Sequence, residues 1–538
     1  MSHRESSVLD VVVAQSRRVL ETYRVDAGLI QEHANNERRI AQGGYGDRQI
    51  FELVQNAADE IRDSPGGEIA VVLTATHLYC ANEGAPVTPE GADTILRMSV
   101  SRKRGGQIGR FGVGVKSVLA ISDTPQFFSR SGGVEFGFGF DRDWSAEMIR
   151  AVHSEAVETP VLRMAQPLDP ARSRAVDPVL NDLMRWATTV VRLPLKPQSV
   201  NRVAGDLATF PVEFPLFSPH VGTVTLEDRR SSGIVKRQVF QLVDGERRRL
   251  QEVRPDEVSI DHDWRVFTRT HRPSESALRA AGELHDRPEI DISWGVPERS
   301  GSRGAFWAYF PTKFATTLRG ILNAPWKTSE DRQAIFDGNA FNEELIQVAA
   351  ELVVDSLPKL SSPEDPAVYV DYLPGRGREA PQFADERLTK AIWTTAAQRP
   401  SLVDQNGVLR KPGEVRIHPE DLREEWLKLW AGYESRPADW VHHSTERRER
   451  RARVSLILSR AGQPDGSVRE CWRTWLTTGA LSPLRPPSGS SRAWSRAGMR
   501  WPRKQCGLGS CSPSRTGWWP PSVARSSVAP RPTISATT

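Results

Sequence analysis

Residues 47–63 constrain the fold more strongly than any other stretch of this 538-residue chain. Apolar residues recur there at i, i+3 and i+4, which predicts a helix with one buried stripe. The stripe consists of Phe51, Leu53, Val54, Ala57, Ala58 and Ile61. Ser64-Pro65-Gly66-Gly67 ends the helix, and residues 68–74 and 78–81 then have the composition of two strands joined by a turn. A helix beside a strand pair buries its stripe by packing on the sheet, which indicates an α+β fold.

The remaining pattern divides the chain into four segments. We expect helices at residues 8–41, 89–98, 112–121, 341–357 and 420–432, and strands at 134–140, 188–195, 223–227, 235–242, 265–268 and 305–310. The changes in pattern predict an N-terminal domain at 1–205, a second α/β domain at 206–360 and a mainly helical region at 361–470. A tail of different composition follows at 471–538.

The tail has an unusual amino-acid content. After Glu470 it contains no acidic residue, but it holds ten of the 72 Lys and Arg residues and six of the sixteen tryptophans. Disordered segments normally avoid Trp and Cys, so this composition fits neither a core nor a usual linker and suggests out-of-frame translation. We interpret the tail as out-of-frame or as disordered, and we exclude it from the fold. Without it, 62 basic residues stand against 67 acidic ones. This balance gives no reason to expect a nucleic-acid partner.

The cysteine and hydropathy patterns exclude several classes of protein. Cys80 is the one cysteine that precedes the tail, so the sequence supports neither a disulfide framework nor a zinc site. The first residues lack the features of a signal peptide, and no apolar run approaches the ~20 residues of a membrane span. We therefore expect a soluble, cytoplasmic protein without a membrane partner.

The helix over residues 47–63 also has a polar face. Glu52, Asn56, Asp59 and Glu60 recur at i, i+4, i+7 and i+8, on the side opposite the apolar stripe. A carboxylate there could take a proton from water, and an amide oxygen one turn away could coordinate Mg²⁺, which prefers oxygen ligands. Taken alone, such a face is more often simply solvated.

A glycine-rich run occupies residues 108–118, with the sequence Ile-Gly-Arg-Phe-Gly-Val-Gly-Val-Lys-Ser-Val. Glycines allow the backbone to approach a polyphosphate, and a following helix directs its N–H groups at the anion. Gly109 and Gly114 have the separation found in a Walker A loop, but Val115 precedes Lys116. The preceding segment is basic and polar, whereas a P-loop requires an apolar strand there, so we reject that alternative.

A turn lies between these two pieces, at Ala81-Asn82-Glu83-Gly84-Ala85-Pro86. Asn82 could accept a hydrogen bond from a base amino group, and Gly84 could leave room for the ring. Taken alone, these residues are better explained by an ordinary turn.

The order and spacing of the three pieces resemble the GHKL ATPase superfamily, which includes the ninety-kilodalton heat-shock chaperones, histidine kinases, the gyrase ATPase subunit and mismatch-repair ATPases. Gly-Tyr-Gly-Asp-Arg-Gln at 44–49, Glu-Leu-Val-Gln-Asn-Ala-Ala-Asp at 52–59 and the run at 108–118 are most similar to the sacsin and NO VEIN type. The resemblance covers residues 40–200 strongly and 200–350 loosely. It implies an N-terminal two-layer α/β sandwich of the Bergerat type.

The resemblance also implies ATP and Mg²⁺ as cofactors. Glu52 would be the general base, Asn56 the Mg²⁺ ligand, and residues 99–108 the ATP lid. The implied cofactor-binding residues are Asn56, Asp59, Asn82, Gly84, Lys103, Gly109, Phe111, Gly112, Val113, Gly114 and Thr189, with Thr188 as the alternative to Thr189. Two positions depart from the family pattern, because Asn82 stands where many members have Asp and Pro86 replaces a glycine.

A second string lies at residues 323–332, Asn-Ala-Pro-Trp-Lys-Thr-Ser-Glu-Asp-Arg. In two-domain relatives, a basic residue of the second domain reaches the γ-phosphate after closure and stabilises charge in the transition state. Lys327 is the first candidate for this catalytic role and Arg332 the second. A structural loop, in which Arg332 pairs with a neighbouring acid, explains the string equally well.

The sequence leaves two functions open. One is a slow, chaperone-like Mg-ATPase that closes around ATP, with an unknown protein client and a possible homodimer in the closed state. The other is a nucleotide-gated protein-binding module with little turnover, for which stress response and defence are candidate settings. A histidine kinase is disfavoured, because no helical hairpin with a phosphoacceptor histidine precedes the ATP-binding region.

Overall fold

The computed structural model describes residues 7–42, 48–97, 114–231, 233–254, 259–282, 288–298, 304–329, 331–375, 382–418 and 439–463. All of them belong to the unit Met1–Thr478, and the unit Gly479–Thr538 contains none of them. The predicted lid, most of the glycine-rich run, the helix predicted at 420–432 and the tail therefore lie outside the described residues.

The helices and strands of the described residues alternate in a mixed α+β arrangement. The helices are α1 Val8–Val25, α2 Gly28–Gln42, α3 Gln49–Ile61, α4 Pro89–Leu96, α5 Arg142–Arg150, α6 Pro170–Val176, α7 Pro178–Leu183, α8 Val200–Ala208, α9 Glu275–Ala281, α10 Ala340–Leu360, α11 Phe383–Gln398 and α12 Arg448–Arg460. The strands are β1 Gly67–Leu73, β2 His77–Asn82, β3 Gln126–Ser131, β4 Val134–Gly139, β5 Gln166–Leu168, β6 Thr189–Pro194, β7 Val221–Asp228, β8 Val235–Asp244, β9 Arg247–Val253, β10 Ile260–His271, β11 Ile290–Pro297, β12 Gly304–Trp307, β13 Pro311–Thr316, β14 Ile321–Asn323, β15 Leu402–Val403 and β16 Leu409–Arg410.

The first helical segment is divided into two helices. Residues 8–41 are helical, as predicted, and they form α1 and α2 with a break between them. Ser7 and Asp10 cap the start of α1 reciprocally. The Asp26 carboxylate accepts a hydrogen bond from the N–H group of Gly28 at 2.9 Å, where α2 begins. A short polar side chain that satisfies the first N–H groups of a new helix stabilises such a break.

One sheet connects the two segments predicted as separate domains. Its strand order is β13-β12-β14-β11-β10-β9-β8-β7-β1-β2-β6-β3-β4-β5, and β15 and β16 form a second, two-stranded sheet. Strand β7 runs parallel to β1, whereas β1, β2, β6, β3, β4 and β5 pair antiparallel in that order. The sheet therefore continues across the predicted boundary at 205/206, and that boundary stays a prediction.

Helix α3 lies on one face of this sheet. Its apolar stripe packs with Ile69, Val71 and Leu73 of β1 and with Leu78 and Cys80 of β2. Helix α8 contributes to the same core, while α7 packs on the opposite face. Burial of the stripe confirms the pattern that predicted the helix, and it fixes which face of α3 points away from the sheet.

The second half of the described chain has its own core. The long helix α10 packs against β10 and β11, and α11 and α12 add further apolar side chains. Trp294, Trp326 and Phe341 are fully buried there. No helix within the described residues combines the length and the apolar character needed to cross a bilayer.

Glu37 of α2 attaches the N-terminal helices to the rest of the chain, and it carries a pH-dependent expectation. Its buried carboxylate accepts hydrogen bonds from the N–H groups of Val161 at 2.6 Å and Leu162 at 2.9 Å. Burial raises the pKa of Glu37 to about 7 despite these two bonds. The folded chain then keeps a proton on Glu37 that the unfolded chain releases near pH 4.5. The contribution of Glu37 to the free energy of unfolding is therefore complete below pH 4.5 and is lost as the pH rises through 7.

Substitution of Glu37 by Gln isolates this effect. We expect the parent to lose up to about 3 kcal/mol of its free energy of unfolding, relative to Glu37→Gln, as the pH rises from 5 to 8. Urea denaturation of both proteins across that range measures it. A difference that stays constant with pH would show that Glu37 titrates normally in the folded state.

Candidate functional site

The start of α3 is covered by a loop from the second half of the chain. The rings of Phe51 and Phe310 stack with centroids 4.3 Å apart and planes 11° from parallel. Phe310 also stacks on Phe214, at 4.8 Å. Arg48, the residue before α3, donates from Nη1 to the carbonyl of Pro311 at 3.3 Å. These contacts hold residues of the second predicted segment, 206–360, against the first turn of α3.

The polar face of α3 is buried by the same half of the chain. Glu52 is 3% exposed and Gln55 is 1% exposed. Arg332 Nη1 donates to Gln55 Oε1 at 2.5 Å, and Arg332 Nη2 donates to Glu52 Oε2 at 3.3 Å. Arg332 is itself 2% exposed, so this is a buried ion pair between groups 280 positions apart in the sequence.

A tight turn presents Arg332 to α3. Thr328 and Ile335 form an antiparallel bridge, and the N–H group of Arg332 donates to the carbonyl of Ser329 at 2.9 Å. Arg332 has a φ of 56°, in the left-handed region that disfavours residues other than glycine. Such a conformation costs about 1–3 kcal/mol and persists where the surroundings impose it, often at functional positions. The strain therefore marks Arg332 as a candidate functional residue.

Lys327 is held elsewhere in the same loop. Its N–H group donates to Asn342 Oδ1 at 2.7 Å, and its carbonyl accepts from Asn342 Nδ2 at 2.8 Å. Lys327 Nζ lies beside Gly282, where an added Cβ atom would be 2.8 Å from it. The structure thus brings Arg332, the second candidate from the sequence, to Glu52, and it places the Lys327 ammonium group beside Gly282.

The other polar residues of α3 differ in exposure. Asn56, one turn after Glu52, is half-buried, Asp59 is buried and Glu60 is exposed. Burial lowers the pKa of His220, against the opposing effect of the nearby Asp59 charge. The predicted stripe is therefore mostly covered by protein, unlike a solvated helix face. The amide oxygen of Asn56 is a ligand type that Mg²⁺ prefers. The carboxylate of Glu52 can accept a proton from an attacking water.

The end of the glycine-rich run lies beside α3. Within the helix predicted at 112–121, the described residues form a 3₁₀-helix, Gly114–Ala120. Gln49 Nε2 donates to the carbonyl of Ser117 at 3.5 Å, and Val118 packs in the core of α3. The last glycine of the run is thus three residues from a contact with the first turn of α3. Lys103, Gly109, Phe111, Gly112 and Val113 lie outside the described residues.

Three polar side chains form a row across β2, β6 and β3. Asn82 is the cross-strand partner of Thr189, and Thr189 is the partner of Ser129. Directly opposed residues share a face of the sheet, and Asn82 shares its face with Cys80, which packs against α3. Thr189 Oγ1 and Ser129 Oγ are 3.0 Å apart, and Asn82 Nδ2 donates to the carbonyl of Glu83 at 2.6 Å. The structure therefore brings Asn82 and Thr189 together, whereas Thr188 uses its backbone to pair with Asn82.

Gly84 brings the turn after β2 close to the last turn of α3. It has a φ of +104°, and a Cβ atom there would lie 2.3 Å from the carbonyl oxygen of Glu60. The N–H group of Ala85 donates to the same oxygen at 2.9 Å. Contact with the helix backbone is therefore a sufficient reason for glycine here, and the role of Gly84 in leaving room for a base stays a prediction.

Substitution of Gly84 by Ala tests this packing. We expect Gly84→Ala to lower the free energy of unfolding by about 3 kcal/mol or more, because backbone strain and overpacking add together. Gly66→Ala is the matched control, since Gly66 has a φ of +87° but no atom within 4 Å of an added Cβ. Equal losses in the two variants, measured by chemical denaturation, would show that the turn moves away from α3 at little cost.

Sequence reasoning missed three residues of this region. Arg48 and Gln55 stand within the strings that carry the family resemblance, but only the fold shows that they are buried beside Arg332. Ser129 gave no signal, because a serine in a strand is common. Its contacts with Thr189 and with the N–H group of Val87 depend on the strand register.

Comparison with known proteins gives one partial similarity. Protein NO VEIN of Arabidopsis thaliana is 34% identical over 95 residues, which make up 17% of this chain. The matched region corresponds to only 3% of the length of that protein. No model of a known protein family matches the chain. The similarity agrees in part with the resemblance described above, and membership of the GHKL superfamily stays a prediction.

Proposed function

We propose that this chain binds Mg-ATP along α3 and hydrolyses it slowly, in the manner of a chaperone-like GHKL ATPase. The observation that carries the proposal is the buried contact of Arg332 with Glu52 and Gln55. A strained arginine from a distant segment, placed beside a carboxylate on the helix with the Glu-x-x-x-Asn pattern, is the arrangement expected for transfer of a phosphoryl group to water.

The two ends of α3 differ in their surroundings, and we assign them to the two ends of the nucleotide. Glu52, Arg332 and the contact of Gln49 with Ser117 lie at the first half of the helix, whereas the turn after β2 packs on its last turn. Glu52 and Glu60, which mark these two positions on α3, are eight residues apart, and eight residues of helix span ~12 Å. The phosphates would lie near Glu52 and the base near Asn82, whose side-chain oxygen can accept a hydrogen bond from an amino group.

The roles of the residues follow from this placement. The Glu52 carboxylate takes a proton from the water that attacks the γ-phosphorus, as the bond to the β–γ bridging oxygen breaks and ADP leaves with that electron pair. Arg332 stabilises the charge on the transferred group. The oxygen of Asn56 would hold Mg²⁺, which neutralises phosphate charge when bound.

A gated binding module with little turnover is the second candidate. One observation favours it: Glu52 Oε2 already accepts a hydrogen bond from Arg332 in the structure. A carboxylate oxygen so engaged is not ready to receive a proton from water. ATP would then order the chain for a protein partner, and hydrolysis would require Arg332 to transfer its bond to the phosphate.

Steady-state release of phosphate from Mg-ATP by the full chain distinguishes the two functions. The ATPase proposal expects turnover below about 1 s⁻¹, at the lower end of enzyme rates, and loss of turnover when EDTA removes Mg²⁺. Binding of ATP without phosphate release would favour the gated module. Turnover that persists in EDTA would contradict the assigned role of Mg²⁺.

A further inference from the structure

Arg48 has an unusual environment at the start of α3. It is 4% exposed, and its guanidinium carbon lies 5.2 Å from the centroid of the Phe51 ring. Nη1 donates to the carbonyl of Pro311, but Nε and Nη2 are buried without a hydrogen-bond partner among the residues that the structure describes. Buried polar groups are normally satisfied, and an unused pair of guanidinium nitrogens costs free energy.

The surrounding charges leave Arg48 without a carboxylate of its own. Glu52 Oε2 accepts from Arg332, and Asp331 Oδ1 accepts from the hydroxyl of Ser329 and from the N–H group of Gln333 within the same turn. Burial and the positive charge of Arg332 lower the pKa of Arg48 to about 10, against the opposing effects of Glu52 and Asp331. The charge of Glu52 thus acts on two buried guanidinium groups, and an additional anion would supply acceptors for the unused Nε and Nη2 of Arg48.

We propose that Arg48 is a second phosphate-positioning residue, which together with Arg332 receives the terminal phosphate of ATP beside Glu52. The inference rests on the proposed function and adds a residue from α3 itself to the contact made by the second segment. A guanidinium group has planar N–H donors that match two oxygens of one phosphate. The unused Nε and Nη2 of Arg48 form such a pair on one edge of the group.

Equilibrium titration of the full chain with β,γ-imido-ATP and with ADP, both with Mg²⁺, tests the inference. Because Arg48→Gln removes the guanidinium group, we expect affinity for the ATP analogue to fall about tenfold or more, with ADP affinity changed less than about twofold. Arg48→Lys retains the charge without the paired donors, and we expect an intermediate loss. Arg237→Gln is the control, since Arg237 is a mostly buried arginine of β8 that pairs with Glu252.

The melting temperature without nucleotide gives a second readout. A purely structural arginine would lower it when replaced, whereas removal of a buried charge with unused donors is expected to leave it unchanged or raise it. The inference would be overturned if both Arg48 variants kept the parent's ratio of affinities for the ATP analogue and ADP. It would also be overturned if the affinities for the analogue and for ADP fell equally. Failure of the parent to bind either nucleotide would refute the proposed function, which is a separate result.

Discussion

Replacing Glu52 by Gln is expected to reduce ATP turnover by about 100-fold or more, because the amide cannot take the proton that a general base removes from water. ATP affinity should change little, since Gln retains an oxygen acceptor for Arg332. In the parent, Arg332 Nη2 lies 3.3 Å from Glu52 Oε2. The amide is a better test than Glu52→Ala, because Ala would leave the buried Arg332 guanidinium group with no acceptor at this position. Phosphate release and equilibrium binding measure the two quantities separately.

Glu60→Gln is the matched control for this substitution. Glu60 lies on the same helix, two turns after Glu52, but it is exposed. The same chemical change there is expected to leave turnover unaltered. Equal turnover in Glu52→Gln and the parent would show that Glu52 is not the base, even if the chain binds ATP.

Replacing Arg332 by Met is expected to have two large effects. Turnover should fall on the order of 1,000-fold, the magnitude associated with an arginine that stabilises a transferring phosphoryl group. The free energy of unfolding should also fall by about 3–5 kcal/mol, because Glu52 would remain buried and charged without its partner. Met has a similar length, so the substitution removes the charge and the donors with little change in volume.

A double substitution separates these effects. Glu52→Gln with Arg332→Met removes both charges of the pair, and we expect it to be more stable than Arg332→Met alone because neither partner is left charged without the other. Lys327→Met compares the two candidates from the sequence. A larger loss of turnover in Lys327→Met than in Arg332→Met would reassign the phosphate contact to Lys327.

Local sequence patterns predicted the elements around the site well. The apolar stripe of α3 and the strands β1 and β2 were recognisable because each buries one face of a regular element, and the period of the apolar residues records that face. The pattern of residues 8–41 predicted helical structure but did not mark the break at Gly28, because α1 and α2 have similar amphipathic composition and the Asp26 cap is a weak signal.

Long-range relations were not recoverable from the sequence. The parallel pairing of β1 with β7 joins segments about 150 positions apart, and no local pattern specifies it. For the same reason, sequence reasoning ranked Lys327 before Arg332, although the turn directs Arg332 to Glu52 and Gln55. The conformation of that turn, including the φ of 56°, decides which basic residue reaches α3.

Arg48 illustrates a different limit. An arginine before a helix is ordinarily exposed, and nothing in its neighbours indicates burial. The Phe51–Phe310 stack and the carbonyl of Pro311 enclose it, and both depend on the packing of the second segment on α3. Functional residues that are defined by packing between distant segments require the fold before they can be named.

Binding of Mg-ATP along α3 is the central claim, and calorimetric titration of the full chain with β,γ-imido-ATP tests it most directly. With Mg²⁺, we expect saturable binding at one site with a dissociation constant below about 1 mM, the upper end of common substrate affinities. Asn56→Ala should remove the dependence on Mg²⁺, because it deletes the proposed oxygen ligand. Absence of binding by the parent in millimolar nucleotide, or Mg²⁺-dependent binding that Asn56→Ala leaves unchanged, would contradict the account.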